Sequence, residues 1–220
     1  MKVGVLFSGG KDSTYAAWLA KKMGHEIECL ITLYSENEAS YMFHTPAIEL
    51  TKEQAKLMDI PLVARETKGE KELELKDLQR AIEKAKVKYN LQGIVTGALA
   101  SDYQASRILE ICKQLKLECI NPLWHKDQIE LLKELVSNKF ESIISGVAAY
   151  PLDRKWIGRK IDEKFIADIE KLAEKYKLNP AGEGGEFETL VINCPLFKKP
   201  LKPRLTEVLG EGNSWRGIFK

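Results

Sequence analysis

A cluster of small, charged and hydroxyl side chains follows the first apolar segment of the chain. Residues 8–13 read Ser-Gly-Gly-Lys-Asp-Ser, directly after the apolar run Val3–Phe7 and before a stretch with helical spacing. Glycines let the backbone approach a ligand closely, and the N–H groups that open a helix attract anions. The two serines add hydroxyl donors, Lys11 adds a point charge, and Asp12 is suited to hold a hydrated Mg²⁺ ion. The combination predicts a site for a phosphate chain.

The spacing of these residues differs from that of the Walker loop, G-x-x-x-x-G-K-[ST]. S-G-G-K-D-S instead resembles the PP-loop of the ATP pyrophosphatase superfamily. That resemblance implies cleavage of ATP between its α and β phosphates and transfer of AMP to an acceptor. The alternative is a glycine-rich strand-to-helix turn with polar residues placed by chance. Six matched positions between a predicted strand and a predicted helix favour the PP-loop.

A second group of polar residues lies at 97–107, which reads G-A-L-A-S-D-Y-Q-A-S-R. Gly97 follows a predicted strand and would admit a nucleotide closely. Ser101 and Gln104 have the spacing of a helix start. Arg107 lies one turn beyond Tyr103 on the same helix face, and its planar fork is suited to phosphate or carboxylate oxygens. The alternative is an ordinary capped surface helix.

An acidic, glycine-rich segment lies near the carboxyl end of the chain. Glu183, Glu186 and Glu188 place three carboxylates within six residues, and three glycines share the same stretch. Carboxylates beside ATP repel it unless a cation intervenes, so the segment suits Mg²⁺, ammonium or a cationic substrate. The alternative is an exposed acidic turn before a strand. His44, which ends a polar loop, is suited either to phosphate contact or proton transfer, or to a structural role near a helix cap.

The elements around these residues alternate between strand and helix up to about residue 120, which predicts an α/β fold with a doubly wound parallel sheet. Ligands of such sheets bind at the carboxyl ends of the strands, and residues 8–13 and 97–104 both follow strands. The same rule places adenine near the end of the second strand, at Ile31, Thr32 and Leu33. A change of rhythm near 121–127 predicts an ATP-binding domain over 1–122 and a smaller α/β substrate-binding domain over 123–220.

Individual elements follow from apolar periodicity and cap residues. The predicted strands are Val3–Phe7, Glu26–Tyr34, Pro61–Arg65, Gln92–Thr96, Glu118–Ile120, Ser142–Ala149 and Phe187–Asn193, followed by a hairpin with Gly210–Gly212 at its turn. The predicted helices are Asp12–Met23, Thr45–Met58 with Thr45 as the cap, Glu70–Lys88, Ser101–Leu117, Asp127–Asn138 and Asp162–Tyr176.

Composition limits the classes of partner. A net charge of +2 over 220 residues argues against binding to nucleic acid driven by bulk charge. No apolar stretch is long enough to cross a membrane, and no signal peptide is expected. The four cysteines, Cys29, Cys112, Cys119 and Cys194, form no C-x-x-C pair, which favours buried thiols over a zinc site. We therefore expect a cytoplasmic protein; whether it forms a homo-oligomer is left open.

Three motifs together resemble the diphthine–ammonia ligase family, namely S-G-G-K-D-S at 8–13, G-A-L-A-S-D-Y-Q-A-S-R at 97–107 and E-G-G-E-F-E-T at 183–189. F-H-T at 43–45 and N-P-L-W-H-K-D-Q at 121–128 support it. The resemblance implies that ATP activates the carboxylate of diphthine, a modified histidine on elongation factor 2, as an acyl-adenylate. Ammonia then displaces AMP and leaves diphthamide. Diphthine also carries a trimethylammonium, which carboxylates and aromatic faces are suited to hold.

Motifs and resemblance together assign roles to individual residues. The catalytic candidates are Lys11, Asp12, Arg107 and Glu186, with Asp12 also expected to bind Mg²⁺. The acceptor or ammonium candidates are Glu183, Gly184, Gly185, Glu186 and Glu188. The ATP-binding candidates are Ser8, Gly9, Gly10, Lys11, Asp12, Ser13, Ile31, Thr32, Leu33, His44, Gly97, Tyr103 and Gln104.

Other functions compete with this interpretation. Enzymes that thiolate tRNA commonly need paired catalytic cysteines, which the cysteine spacing does not favour. Glutamine-dependent amidotransferases need a nucleophilic cysteine in a glutaminase domain, yet residue 2 is Lys, so free ammonia is the expected nitrogen source. An ammonia-dependent synthetase acting on a small molecule and a non-enzymatic adenine-nucleotide sensor remain as alternatives.

Overall fold

The chain is described by a computed structural model over residues 1–35, 48–68 and 71–220, with the backbone alone described at residues 71 and 72. The strands are β1 (Lys2–Leu6), β2 (Glu26–Ser35), β3 (Leu62–Thr67), β4 (Gly93–Val95), β5 (Glu118–Ile120), β6 (Glu141–Val147), β7 (Phe187–Asn193), β8 (Leu205–Glu211) and β9 (Ser214–Phe219). The helices are α1 (Lys11–Lys22), α2 (Thr51–Met58), α3 (Lys71–Tyr89), α4 (Asp102–Gln114), α5 (Gln128–Ser137) and α6 (Glu163–Tyr176). Short 3-10 turns occupy Ile48–Leu50 and Arg154–Trp156.

The amino-terminal half forms a five-stranded parallel sheet in the order β3-β2-β1-β4-β5. Successive side chains of each strand point to opposite faces. Val3 and Val5 therefore pack with α1 on one face, while Ile31 and Ile94 pack with α3 and α4 on the other. The predicted doubly wound parallel sheet is confirmed, and residues 8–13 and 97–101 both lie at its carboxyl edge.

The carboxyl-terminal half contains a separate antiparallel sheet in the order β7-β6-β9-β8. Helices α5 and α6 cover one of its faces, with Phe165 and Phe187 at the centre of the packing. The predicted hairpin is β8–β9, and its turn lies at residues 212–213 because Glu211 still pairs with Ser214.

The two halves share one hydrophobic core. A single buried cluster contains Val5 and Tyr15 from the first half together with Ile144 and Phe187 from the second. The outer edge of β7 also faces the loop after β1, since the Val191 N–H donates to the Gly9 carbonyl at 3.0 Å. The loop between β1 and α1 is therefore held by both halves of the chain.

The helix expected from Thr45 begins in the described residues with the Ile48–Leu50 turn before α2, and its predicted cap lies outside them. Among the described residues, no helix has the length and the apolar character that crossing a bilayer requires.

Candidate active site

The PP-loop is the turn of residues 7–10 together with the first turn of α1. Gly10 occupies the N-cap position and has no side chain with which to cap the helix. Ser8 and Ser13 fold the loop on itself, because the Ser8 N–H donates to the Ser13 hydroxyl at 3.2 Å and the two hydroxyl oxygens lie 3.2 Å apart. The loop therefore presents a helix N-terminus and two hydroxyls at the sheet edge, as an anion site requires.

Gly9 and Gln54 form a close contact that shapes this loop. Gly9 has a φ of +78°, and a Cβ there would lie 2.2 Å from the Oε1 atom of Gln54. The Gln54 amide is fully buried and donates to the Gly9 carbonyl at 2.9 Å and to the Val191 carbonyl at 2.8 Å. Glycine is thus required at position 9 by both its conformation and its packing. Gln54 joins α2, the PP-loop and β7.

Lys11 and Asp12 form the charged centre of the loop. Lys11 is 3% exposed, and its ammonium donates to the Oδ2 atom of Asp12 at 2.8 Å. The other Asp12 oxygen, Oδ1, is buried and has no hydrogen-bond partner within the described part of the chain. A buried carboxylate oxygen without a donor is suited to a cation, and Mg²⁺ commonly binds one or two carboxylates plus phosphate oxygens. The residues present therefore fit the predicted magnesium role of Asp12, although the described residues include no cluster of three metal-binding side chains.

Gly97 packs against the start of α1. A Cβ at this position would lie 2.7 Å from the Ser13 nitrogen and 2.8 Å from the Asp12 carbonyl carbon. Position 97 therefore lies against the backbone of the PP-loop, and contact of Gly97 with the nucleotide stays a prediction. Any larger residue would displace the helix N-terminus.

Strand β7 contributes the second half of the site. The Thr189 hydroxyl accepts a hydrogen bond from the Lys11 N–H at 3.0 Å, so a residue of the carboxyl-terminal half caps α1. Glu188 precedes Thr189, and Glu183 lies in the adjoining acidic loop, which we define as residues 182–188. The Ala100 backbone N–H donates to the Glu183 carboxylate. The acidic loop therefore contacts the loop that follows β4.

The electrostatics of the site are dominated by carboxylates around one lysine. Desolvation by burial raises the pKa of Glu188 to about 7; the Lys11 ammonium opposes the rise, and the Asp12 and Glu183 carboxylates add to it. Desolvation likewise raises the pKa of Glu183, with Asp12 as the next cause. Three carboxylates thus share one buried ammonium. The site has a deficit of positive charge even before a phosphate chain enters.

Glu186 has a different surrounding from the other two glutamates of the acidic loop. Its Oε1 atom accepts hydrogen bonds from the backbone and side-chain N–H groups of Asn179 at 2.8 and 2.7 Å, and its Oε2 atom accepts from the Gly184 N–H at 2.7 Å. The side chain is 8% exposed. These three hydrogen bonds hold Glu186 against Asn179 and Gly184. Its predicted part in catalysis and acceptor binding stays a prediction.

The Glu186→Gln variant is therefore expected to unfold at a temperature several degrees below that of the wild type. A glutamine side chain has one acceptor oxygen where glutamate has two, so an N–H group that donates to Glu186 loses its acceptor. This loss should lower the free energy of unfolding by about 1–3 kcal/mol. Thermal unfolding followed by circular dichroism measures the shift, with the exposed Glu207→Gln as the control. An unchanged melting temperature together with lost acceptor turnover would return Glu186 to the acceptor role.

The residues predicted to contact adenine lie in the sheet. Ile31 and Leu33 are 2% and 3% exposed and belong to the core cluster under α3 and α4. The Thr32 hydroxyl donates to the Phe7 carbonyl at 2.6 Å. The side chains of these three residues are therefore used by the fold, because alternate residues of a central strand point into the two covering layers. Contact between this segment and adenine stays a prediction.

Helix α4 carries the other predicted nucleotide residues. The Ser101 hydroxyl accepts from the Gln104 N–H at 3.4 Å, which confirms Ser101 as the helix cap. The Arg107 guanidinium lies 5.4 Å from the centre of the Tyr103 ring and is exposed to solvent. Tyr103 and Arg107 thus form a stacked pair at the rim of the site. His44 lies outside the described residues.

The Arg107→Lys variant tests whether Arg107 acts in the reaction or in the fold. We expect turnover to fall by about tenfold or more with the melting temperature unchanged, because an exposed lysine keeps the charge but lacks the planar fork. Turnover is measured as AMP released per folded molecule. Arg80→Lys on the solvent face of α3 is the matched control. A lower melting temperature with unchanged turnover would make Arg107 structural.

Several residues at the site were not singled out from the sequence. Gln54 and Thr189 hold the PP-loop. Asn179 donates to Glu186 of the acidic loop. Gln128 supports this contact, because it donates to the Asn179 Oδ1 atom at 3.2 Å and accepts from the Ala181 N–H at 2.9 Å. Gln128 ends the N-P-L-W-H-K-D-Q segment, which was the one signal of its role. The others are ordinary polar residues whose partners lie far along the chain.

The cysteines are all free thiols, and none lies among the site residues described above. Cys112 and Cys119, which are separated in sequence, are brought together by α4 and β5 and hydrogen-bond to each other. The hydrogen bond to Cys119, with burial as the next cause, raises the pKa of the Cys112 thiol, which keeps it protonated. Cys112 belongs to the buried cluster beneath α3 and α4, and the half-buried Cys119 packs against it. The prediction of buried thiols is confirmed for Cys29, Cys112 and Cys194, whereas Cys119 is half-buried.

Comparison with known proteins identifies the family. Residues 1–119 match the diphthamide synthase N-terminal domain, and residues 127–218 match the diphthamide synthase C-terminal domain. The chain belongs to the diphthine–ammonia ligase family. Its relatives include the diphthine–ammonia ligase of Bos taurus, with 35% identity over 95% of this chain and 85% of the relative, and that of Homo sapiens, with 36% identity over the same shares.

Relatives in this family differ in length. The diphthine–ammonia ligase of Schizosaccharomyces pombe is 35% identical over 90% of this chain, yet the match covers 35% of that relative. The matches to the two family domains and to these relatives confirm the predicted resemblance. The chain is a ligase of the amide-forming class. Both the PP-loop and the acidic loop fall within the two matched family regions.

Proposed function

We propose that this chain forms diphthamide on elongation factor 2 from diphthine, ammonia and ATP, with release of AMP and pyrophosphate. The observation that carries the proposal is the convergence of the Asp12, Glu183 and Glu188 carboxylates on the Lys11 ammonium at a helix N-terminus. The helix N-terminus suits the phosphates of ATP. The excess of carboxylates suits the cations of the same reaction, which are the diphthine trimethylammonium, ammonium and a metal ion.

The first chemical step would form the acyl-adenylate. A carboxylate oxygen of diphthine attacks the α-phosphorus, the bond from that phosphorus to the bridging oxygen breaks, and pyrophosphate leaves. The Lys11 ammonium and the N–H groups that follow Lys11 in the first turn of α1 are placed to stabilise the charge that develops on the leaving pyrophosphate. Asp12 would hold Mg²⁺, which neutralises phosphate charge when bound.

The second step would form the amide. Ammonium first loses a proton to solvent to give ammonia. The ammonia nitrogen attacks the acyl carbon, the carbon–oxygen bond to AMP breaks, and a second proton leaves the nitrogen for solvent. Glu183 and Glu188 would hold ammonium beside the acyl group, because the Lys11 ammonium alone does not balance the charge of their desolvated carboxylates. In this proposal residues 1–122 bind ATP and residues 123–220 bind the acceptor, with the contact between Thr189 and Lys11 joining the two.

Mass spectrometry of elongation factor 2 tests the proposal directly. Diphthine-modified factor is incubated with the chain, ATP, magnesium and ammonium, and we expect conversion to the amide with one AMP formed per amide. Omitting ammonium should stop amide formation. ATP binding without AMP or amide would contradict the proposal and favour the nucleotide sensor, whereas AMP formation that depends on a small molecule would favour the other synthetases.

Free cysteines also support our proposal of a cytoplasmic location.

A further inference from the structure

We propose that Gln54 is a positioning residue for the phosphate chain of ATP, because it fixes the orientation of the peptide bond between Gly9 and Gly10. The Gln54 side chain is fully buried, and its amide donates both of its hydrogens to carbonyl oxygens, those of Gly9 at 2.9 Å and Val191 at 2.8 Å. The inference rests on the proposed function and adds a residue outside the PP-loop on which phosphate binding depends.

The peptide bond between Gly9 and Gly10 has its oxygen turned toward β7. The Gly9 carbonyl accepts from the Val191 N–H at 3.0 Å and from Gln54, so both of its lone pairs are used on that side. The bond is trans, and the C=O and N–H groups of a trans peptide point in opposite directions. The Gly10 N–H is therefore directed away from β7, and it donates to the Ser8 hydroxyl at 3.4 Å. In the proposed function this is the side that binds the phosphates.

Two glycines by themselves do not hold this peptide bond in one orientation. Rotating the peptide plane by about half a turn would change the backbone angles of Gly9 and Gly10 alone and would take the Gly10 φ from −81° to a positive value. Glycine adopts such values readily, whereas other residues seldom do. The rotated peptide would present the Gly9 carbonyl oxygen to the phosphates in place of the Gly10 N–H. The two donors to the Gly9 carbonyl, Gln54 and the Val191 N–H, oppose this rotation.

Helix α2 holds Gln54 in place from both halves of the chain. At the start of the helix, the hydroxyl oxygens of Thr51 and Tyr34 lie 2.9 Å apart in a hydrogen bond, which joins α2 to β2. At its end, the Leu57 carbonyl accepts from the Lys198 N–H at 2.9 Å, which joins α2 to the segment after β7. The amide of Gln54 is therefore presented to the PP-loop from a helix that is fixed at both ends.

The first experiment compares the binding of ATP and of adenosine to the full chain and to Gln54→Met, with magnesium present. Methionine keeps the unbranched shape of glutamine but cannot donate a hydrogen bond. We expect the Kd for ATP to rise at least about tenfold and the Kd for adenosine to stay within about twofold, because adenosine has no phosphates. Calorimetry measures ATP binding, and ligand-observed NMR measures adenosine binding.

The control for this variant is Ala55→Gly, which changes the next residue of α2. Ala55 is buried in the core and has no polar side-chain atom, so its replacement should lower the melting temperature while the Kd for ATP stays within about twofold. A purely structural role of Gln54 would weaken the binding of ATP and adenosine by the same factor. That result, or an unchanged Kd for ATP in Gln54→Met, would overturn the inference.

The second experiment uses the wild type and therefore decides the inference if Gln54→Met does not fold. If the hydrogen bonds of Gln54 favour phosphate binding, then by linkage a bound phosphate chain must favour those hydrogen bonds. We expect magnesium pyrophosphate to slow the exchange of the Gln54 side-chain amide hydrogens with water at least about fivefold, as followed by NMR. The side-chain amide of Gln128, which donates to Asn179, is the control and should change less than about twofold. No slowing at Gln54, or equal slowing at both amides, would overturn the inference.

Amide formation separates the inference from the proposed function. In Gln54→Met the KM for ATP should rise at least about tenfold, and the KM for diphthine-modified elongation factor should stay within about twofold. An unchanged KM for ATP in a variant that still makes the amide would overturn the inference with the proposed function intact. The expected loss of ATP affinity in a chain whose wild type makes no amide would contradict the proposed function and leave the role of Gln54 standing.

Discussion

Replacing Lys11 with methionine is expected to reduce AMP formation by about 10²–10³-fold, the usual cost of removing one group that stabilises developing charge. Lys11 is the buried cation of the site, and its ammonium lies 2.8 Å from Asp12 and 5.6 Å from the centre of the Phe187 ring. Methionine keeps the unbranched bulk of lysine, so the expected loss reports on charge and not on a cavity. Release of AMP and pyrophosphate at saturating ATP and magnesium is the measurement.

The control for this variant is Lys22→Met at the opposite end of the same helix, where the lysine lies over the Trp18 ring at the surface. It should leave turnover unchanged. Turnover of Lys11→Met within about threefold of the wild type would contradict the role of Lys11 in phosphate transfer. A loss of ATP affinity that accounts for the whole effect would instead assign Lys11 to binding alone.

Replacing Glu188 with glutamine is expected to lower acceptor turnover strongly and to raise stability above pH 7. Burial raises the pKa of Glu188 to about 7 from its ordinary value of 4.5. The folded chain therefore keeps a proton that the unfolded chain releases, and the stability of the wild type falls as the pH rises through this interval. Glutamine does not ionise, so it removes this loss. The gain is expected to be about 1–3 kcal/mol after allowance for partial exposure to solvent.

Thermal unfolding of both proteins at pH 5 and pH 8 measures this effect. The difference in melting temperature should be small at pH 5 and should reach several degrees in favour of Glu188→Gln at pH 8. The exposed Glu207→Gln should show no such dependence. Equal melting temperatures of wild type and Glu188→Gln at pH 8 would show that Glu188 already has a sufficient cationic partner. A gain in stability with unchanged amide formation would separate the charge of Glu188 from the reaction.

These two variants also separate the two halves of the proposed reaction. Lys11→Met should affect any reaction that releases pyrophosphate, including exchange of labelled pyrophosphate into ATP. Glu188→Gln should leave ATP affinity within a few-fold and act on the acceptor. The opposite result, a large loss of nucleotide affinity in Glu188→Gln, would make the acidic loop a magnesium site for ATP.

The sequence alone was enough for features that depend on neighbouring residues. The strand, glycine turn and helix of residues 2–22 follow from local apolar spacing and from Gly9 and Gly10, so the PP-loop could be predicted. The parallel sheet followed from repeated strand and helix units, since right-handed crossovers leave few other arrangements. The Ser101 cap was predictable for the same reason, because a helix cap and its N–H partner lie three residues apart.

Only the tertiary structure decided which charges share the site. Glu183, Glu186 and Glu188 are equivalent in the sequence, yet Glu186 accepts three hydrogen bonds within the chain, while the other two face Lys11 and Asp12. The roles of Gln54 and Thr189 depend on contacts with residues more than forty positions away. Such partners are set by how the two sheets pack, and local propensity carries no information about them. The burial of Ile31 and Leu33 was likewise decided by the helix layer above them.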